Sequence, residues 1–300
     1  MRMCQAKLLP VILAVMVMFL WAASPTPVNA DTQKAKEYFN TGIKAKEAGK
    51  IDSAITSYKA AIQEDPDFID SYLNLGAIYF EKGDYENARQ MFKTVTEKDK
   101  TNAAAVANVG RVEYALHKYV EAEAAFQAAI ALENNNAEYY KELTKVYYQK
   151  QDYSKAIETV LKCHQLGGGD ANSYYILGKG YEKQDKMQEA VDAFGKSIEL
   201  ENNSKACSAL GQIYLNQQKY AKAAEHFKAA LNDEPTAWRA AYNYAIAIQS
   251  YNPEDYDTII KAWEDFVKRA KNIPKAKDQV AEAQRVIKDL KEAKDKAGLQ

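Results

Sequence analysis

The residue types that most often carry metal or nucleophilic chemistry are scarce in this chain and widely spaced. Among its 300 residues there are three histidines and three cysteines. The histidines, His117, His164 and His226, do not cluster, whereas a metal site needs several ligands at short spacing. The pair Cys163-His164 is half of a haem-attachment motif, but Val160 stands where that motif needs its second cysteine. We therefore expect neither a metal site nor a bound cofactor.

A lysine between two glycines, Gly178-Lys179-Gly180, suggests a phosphate-binding loop. A P-loop requires another glycine five residues before Gly178 and a serine or threonine directly after Lys179. The sequence has Ser173 and Gly180 at those two places, so the motif is incomplete. No motif in the sequence indicates a Ser/His/Asp catalytic triad either. The sequence predicts that the protein is not an enzyme.

The charge balance excludes one further class of partner. The chain has 40 Lys and Arg against 41 Asp and Glu, a formal net charge of -1. Such a balance provides no basic field for a phosphate backbone, so we expect no nucleic-acid binding. Apolar residues make up 47%, which is too many for a disordered chain, and the 7 prolines and 13 glycines favour helices over a loop-rich β fold.

The first thirty residues have the pattern of a secretory signal peptide. Arg2 and Lys7 precede an uncharged apolar run from Leu8 to Ala22, and small residues lead up to Ala30. The run is shorter than the ~20 residues that span a bilayer comfortably. We expect cleavage after Ala30 and an exported protein, periplasmic or secreted, without a membrane span. An uncleaved N-terminal anchor is the alternative.

The secondary-structure elements that must position all of these residues repeat with a period of 34 residues. Small residues recur at this step, as do large residues of a second series. The first small series is Gly42, Gly76, Gly110 and Gly178, with Thr144 in the place between the last two. The second small series is Ala54, Ala88, Ala122, Ala156 and Ala190, and the large residues are Tyr58, Phe92, Phe126, Val160 and Phe194. Within each repeat the apolar positions have helical spacing, which predicts two helices whose axes come close at the small residues.

This pattern resembles the tetratricopeptide repeat, a helix–turn–helix unit with a period of about 34 residues. Repeat two shows the match with Tyr72, Leu75, Gly76 and Tyr79, whereas repeat three has Glu113 where tyrosine is expected. The resemblance implies an all-α, right-handed α-solenoid of about seven units. The units span residues 35–68, 69–102, 103–136, 137–170, 171–203, 204–237 and 238–273 within a repeat region of 31–273.

Two features outside the consensus follow from this register. Residues 274–300 hold a charged segment with a narrow apolar stripe, for which we expect a helix that caps the last repeat, with a partner-binding helix as the alternative. Cys163 and Cys207 fall at core positions two units apart, so we expect buried thiols and no disulfide between them.

In relatives of this family, positions 2, 5, 6, 9, 12 and 13 of each unit line a concave groove; we call them the groove positions. The resemblance places candidate peptide-binding residues there, apolar in repeats one and two and largely basic or aromatic in repeats three to five. They are Phe39, Asn40, Ile43, Leu73, Asn74, Phe80, Asn108, Arg111, Tyr114, Lys141, Lys145, Tyr148, Tyr175, Lys179 and Lys183. Side-chain amides can donate to and accept from a peptide backbone at once, which suits an extended segment.

The groove composition predicts a protein scaffold or adaptor in the cell envelope that binds a partner segment with an apolar part and an acidic part. Three alternatives stay open. The apolar group is covered by Asp31 to Lys34, or it is a homodimer contact, or the groove tyrosines Tyr114, Tyr148, Tyr175 and Tyr242 stack on carbohydrate in a cell-wall-binding module. Salt sensitivity separates an acidic peptide from a glycan, because only the peptide relies on charge.

Overall fold

The computed structural model describes residues 30–234 and 236–298, and this part of the chain contains helices and no strand. The predicted all-α class is confirmed. The α-helices are α1 Ala30–Glu47, α2 Ile51–Glu64, α3 Ile69–Glu81, α4 Tyr85–Lys98, α5 Ala103–Ala115, α6 Tyr119–Leu132, α7 Ala137–Gln149, α8 Tyr153–Gln165, α9 Ala171–Lys183, α10 Met187–Leu200, α11 Ser204–Asn216, α12 Tyr220–Asp233, α13 Trp238–Tyr251, α14 Tyr256–Ala270 and α15 Lys277–Lys296. The first helices of repeats two to seven begin at the residues where the 34-residue period starts each repeat.

The chain divides into two compact units, the first ending at Leu75 and the second beginning at Gly76. In the first unit α1 packs on α2 around Ala35, Ala54 and Tyr58, all fully buried. The start of α1 is tied to the end of α2, because Thr32 donates a hydrogen bond to Asp65 at 2.9 Å and Lys34 lies 2.7 Å from Glu64. The residues after the predicted cleavage site therefore form the first turn of a helix.

In the second unit each helix from α4 onward packs on the next one along the chain, so the helix pairs stack in chain order. A 3₁₀ turn, Pro274–Ala276, leads into α15, which packs on α14. Ala276 and Ala283 are fully buried there, and Lys291 and Lys294 of α15 form ion pairs with α14. The C-terminal helix thereby covers the apolar side of α14.

The turns between the two helices of a repeat share one backbone conformation. The second residue after the end of the first helix has a positive φ of 58–76° in six repeats: Gly49, Gly83, His117, Gln151, Asp185 and Gln218. This left-handed conformation ends a helix, and it favours glycine. The next residue precedes the second helix, and in α4 and α8 it is an aspartate, Asp84 or Asp152, whose side chain caps the helix.

Close approach of the paired helices depends on the glycine at position 8. A Cβ atom added to Gly178 would lie 2.6 Å from the ring of Phe194, and the same glycine–aromatic contact occurs four more times, between Gly42 and Tyr58, Gly76 and Phe92, Gly110 and Phe126, and Gly211 and Phe227. Repeat four differs at both positions, with buried Thr144 and buried Val160. The larger residue on one helix is thus matched by a smaller residue on the other.

No helix within residues 30–234 and 236–298 is both long enough and apolar enough to cross a membrane. Residues 1–29 of the predicted signal peptide lie outside the described part of the chain.

Candidate protein-binding groove

The first helices of the second unit present their groove positions on one face, which we call the inner face. Its larger cavity, about 630 Å³, lies along α9, α11 and α13 and is lined by Tyr175, Lys179, Lys205, Gln212, Trp238, Arg239 and Asn243, among others. These residues occupy groove positions of repeats five to seven, apart from Trp238, which is the first residue of repeat seven. The recess therefore lies at the predicted groove positions of repeats five to seven.

A smaller cavity of about 250 Å³ continues the inner face towards repeats three and four. Tyr114, Lys145, Tyr148, Tyr175 and Lys205 are among the residues around it. The ring centroids of Tyr148 and Tyr175 are 6.5 Å apart in an edge-on arrangement, and burial raises the pKa of the Tyr175 hydroxyl, which therefore stays neutral. Because Tyr175 and Lys205 border both cavities, the two recesses adjoin.

The predicted cations of repeats three and four are held in ion pairs. Lys141 lies 2.6 Å from Glu138 and 3.5 Å from Asp170, and Lys145 lies 3.1 Å from Glu142. The hydrogen bond with Glu138, opposed by burial, raises the pKa of the Lys141 ammonium. These lysines thus stay charged, but carboxylates on the same face balance their charge.

Arg111 and Lys179 are balanced in the same way. Arg111 lies 3.4 Å from Glu138 and 3.6 Å from Glu142, and Lys179 pairs with Glu182 within α9. The predicted basic stretch is therefore a network of alternating charges across α5, α7 and α9. Such a network holds the side chains in place and presents little net charge to a ligand.

Two cations at the larger cavity differ from this network. Lys205 and Arg239 both stand at position 2, in repeats six and seven, and neither forms an ion pair with the described residues. The guanidinium carbon of Arg239 lies 4.5 Å from the Trp238 ring centroid, within cation–π distance. Lys183, at the end of α9, is exposed and likewise has no ion pair within residues 30–234 and 236–298.

The apolar candidates are divided between the units. Phe39, Ile43 and Leu73 are half-buried in the first unit, where the Phe39 ring lies 5.3 Å from Phe68 and 5.6 Å from Tyr58. Phe80 is half-buried in the second unit beside Tyr85, with centroids 5.5 Å apart. Part of each side chain's surface is thus used in packing inside its own unit.

The asparagines at position 6 are engaged to different extents. Asn108 accepts a hydrogen bond from Arg111 at 2.9 Å, Asn74 donates to the carbonyl of Asp70 at 2.9 Å, and Asn243 donates to Gln212 at 3.0 Å. Asn40 is exposed. Each amide keeps at least one further donor or acceptor for a peptide backbone.

Sequence reasoning missed Lys205, Gln212, Trp238 and Arg239 as groove residues. The same register that nominated Lys141 and Lys179 also places Lys205, Gln212 and Arg239 at groove positions. The signal was therefore present in repeats six and seven, where only Tyr242 was named, as a residue that could stack on carbohydrate. Trp238 could not have been found this way, because position 1 is not a groove position.

The other reactive side chains serve packing. Cys163 and Cys207 are buried thiols outside any disulfide of the described residues, and burial raises the pKa of the Cys163 thiol to about 11, which keeps it protonated and unreactive. His164 Nε2 lies 2.9 Å from the hydroxyl of Ser173, whose Oγ also caps α9 together with Asp170. Within the described residues, no group of three or more His, Cys, Asp or Glu could hold a metal ion.

Two half-buried histidines predict a loss of stability in acid. Burial lowers the pKa of His164 and of His226 below the usual 6.5. The unfolded chain then binds protons more readily, so stability is complete above about pH 6.5 and falls as the pH drops below that value. The double variant His164→Gln, His226→Gln should show a weaker decrease of the urea midpoint between about pH 7 and 5. His117→Gln, in an exposed turn, is the control, and an unchanged decrease in the double variant would contradict the assignment.

Comparison with known proteins agrees with this geometry. The model of the cilia and flagella-associated protein 70 C-terminal domain, a tetratricopeptide-repeat model, matches residues 23–232. A crystal structure of MamA protein is 31% identical, covers 56% of this chain and 92% of that chain, and superposes with a TM-score of 0.52. A search of curated proteins found no match.

Two more distant structures share the fold. Pseudomonas aeruginosa PilF is 19% identical, with 72% of this chain and 96% of that chain covered at a TM-score of 0.62. YrrB, described as a TPR protein with an unusual peptide-binding site, is 20% identical, with 61% and 93% covered at a TM-score of 0.52.

Stacked helix pairs with a recessed inner face define a helical-repeat scaffold of the kind that mediates protein–protein interactions, a class that is typically not enzymatic. The chain belongs to the tetratricopeptide-repeat family.

Proposed function

We propose that this chain is an adaptor that binds an extended, acidic segment of a partner protein on the inner face of repeats three to seven. The observation that carries the proposal is the pair of adjoining cavities, about 630 and 250 Å³, that share Tyr175 and Lys205. An extended peptide fits an elongated recess of this kind better than a compact small molecule does.

The side chains around the recess suit the parts of such a peptide. Tyr148, Tyr175 and Trp238 offer aromatic contact area at low entropic cost. Gln212 and Asn243 provide amides for backbone groups. Lys205 and Arg239 supply the cationic charge that has no carboxylate partner among the described residues, so the acidic part of the segment would extend to repeats six and seven.

Two parts of the sequence hypothesis remain predictions. The first is that Phe39, Ile43 and Leu73 bind an apolar part of the same partner. The second is export: the pattern of residues 1–30 supports a location in the cell envelope, where the adaptor would recruit other envelope or secreted proteins without catalysing a reaction.

The proposal is tested with the full chain and a library of about ten-residue peptides in which each acidic peptide is matched by its Glu→Gln, Asp→Asn form. Acidic peptides should bind at least about tenfold more tightly than their amide forms at low salt, and the difference should shrink at high salt. Equal binding of both forms would contradict the acidic specificity. Binding of cell-wall oligosaccharides without peptide binding would replace the adaptor with the carbohydrate module.

Location is tested on the chain isolated from its native envelope fraction. N-terminal sequencing should begin at Asp31 if the signal peptide is cleaved after Ala30. A chain that begins at Met1 in that fraction would support the uncleaved anchor, and a chain found only outside the envelope fraction and the secreted medium would contradict export.

A further inference from the structure

The outer face of α6 carries a stripe of exposed apolar residues, with exposed Glu121 and Gln127 beside it. Val120 is 68% exposed and Leu132 44% exposed, and between them Ala124 and Ala128 are exposed as well. These four residues are four positions apart, so they form one stripe on the side opposite the buried Phe126. A run of exposed apolar residues along one helix is a candidate association surface.

The same positions of the neighbouring repeats are mostly polar. In α8 they are Ser154, Glu158 and Lys162, all exposed. In α10 they are Gln188, Asp192 and Lys196. The position of Leu132 is a leucine in these repeats as well, Leu166 and Leu200, so the apolar residues particular to α6 are Val120, Ala124 and Ala128.

A recess lies beside this stripe. A cavity of about 500 Å³ is bordered by Gln127 and Ile130 of α6, Leu143 of α7 and Leu161 of α8, which is 39% exposed. It adjoins the C-terminal half of α6. Ile130, Leu143 and Leu161 form the apolar part of this cavity next to the stripe, and Glu158, Thr159 and Lys162 form its polar side.

We propose that this surface binds a second copy of the same chain, with α6 packed antiparallel on α6 of the other copy. In the antiparallel arrangement Val120 of one copy lies opposite Leu132 of the other, and Ala124 lies opposite Ala128. The large residues meet at both ends, where the cavity adjoins, and the small residues in the middle let the helix axes approach. The order large, small, small, large is the same in both directions, as an isologous two-fold contact requires.

Charge complementarity on α8 supports the same arrangement. Glu158 and Lys162 are the 34-residue equivalents of Ala124 and Ala128, so antiparallel pairing sets Glu158 of one copy opposite Lys162 of the other, twice by symmetry. Parallel pairing would set α8 opposite α4 and bring Glu158 against Gln90, without this complementarity.

The central test is the mass of the full chain in solution by sedimentation equilibrium. The wild type should show a concentration-dependent dimer, and Ala128→Glu should raise its dissociation constant at least about tenfold because two carboxylates enter the middle of the contact. Ala221→Glu, an exposed alanine on the outer side of α12, is the matched control and should not change it. A wild type that stays monomeric at about 100 μM, or an Ala128→Glu chain that dimerises like the wild type, would overturn the proposal.

A charge exchange on α8 tests the orientation. Glu158→Lys alone should weaken the dimer, because it sets a second ammonium group against Lys162 of the other copy. The double variant Glu158→Lys, Lys162→Glu restores opposite charges and should recover the wild-type dissociation constant to within about threefold. A double variant that is as weak as the single one, with both chains helical by circular dichroism, would overturn the antiparallel arrangement.

Discussion

Replacing Gly178 by threonine should lower the free energy of unfolding by about 3 kcal/mol. The added Cβ would lie 2.6 Å from two ring carbons of Phe194, which is fully buried. The ring has no solvent-exposed side to move into, so α9 and α10 must separate or the ring must leave its rotamer. The better helix propensity of threonine relative to glycine offsets only a few tenths of a kcal/mol.

A second substitution should rescue the first. Adding Phe194→Val to Gly178→Thr recreates the pair that repeat four uses, Thr144 with Val160, both buried. Phe194→Val alone should cost about 2–3 kcal/mol, because it leaves a cavity. The double variant should lie within about 1 kcal/mol of the wild type, which gives a coupling energy of several kcal/mol between neighbouring helices.

The measurement is urea unfolding followed by circular dichroism for the wild type, both single variants and the double variant. Gly195→Ala is the matched control, because nothing lies within 4 Å of a Cβ added there. It should raise stability by up to about 1 kcal/mol through helix propensity. Additive effects of the two core substitutions would contradict the view that the glycine and the aromatic ring are one packing unit.

Reversing the charge of Lys205 and Arg239 together should weaken binding of an acidic peptide at least about 30-fold, or about 2 kcal/mol. Both cations border the larger cavity and have no carboxylate partner among the described residues. Glu234 also lines this cavity, but it accepts a hydrogen bond from Ser204 and forms no ion pair with either cation, so both cations can attract a peptide carboxylate. The loss should be largest at low salt, because these side chains remain partly solvated.

The paired lysines should respond differently. Lys145→Glu sets a carboxylate beside Glu142, so we expect a lower free energy of unfolding, by about 0.5–1 kcal/mol, more than a loss of affinity. Lys228→Glu makes the same charge change on an exposed residue of α12 and should affect neither property. Isothermal titration with the tightest-binding acidic peptide measures the affinity of each variant and shows which substitutions weaken binding. Equal loss of affinity at Lys145 and at the Lys205–Arg239 pair would show that the ion pairs open on binding.

The fold could be predicted from the sequence because it rests on local, periodic interactions. Gly76, Gly110 and Gly178 recur at the same step as their aromatic partners, and this register alone set the first residue of six helices. The exception in repeat four was visible as two separate departures, Thr144 and Val160. Only the packing of the glycine against the ring in the other repeats shows that the two departures compensate each other.

The candidate site was predicted in part. The groove positions named the face of the first helices, because a helical register fixes which side chains share a face. They did not show that Arg111, Lys141, Lys145 and Lys179 are neutralised by carboxylates, some on the neighbouring helix and some on their own. Nor did the groove positions show that Lys205 and Arg239, unlike these four cations, form no ion pair with the described residues.

The sequence by itself determined the repeat, the helix pairs and the class of interaction scaffold, since each depends on spacing along one chain. The tertiary structure decided which charges are free and where cavities lie. An ion pair depends on atoms that meet within about 4 Å across two helices, and a recess depends on the volumes of side chains from three of them. Neither the ion pairs nor the cavities recur with the repeat, so the 34-residue pattern cannot predict them.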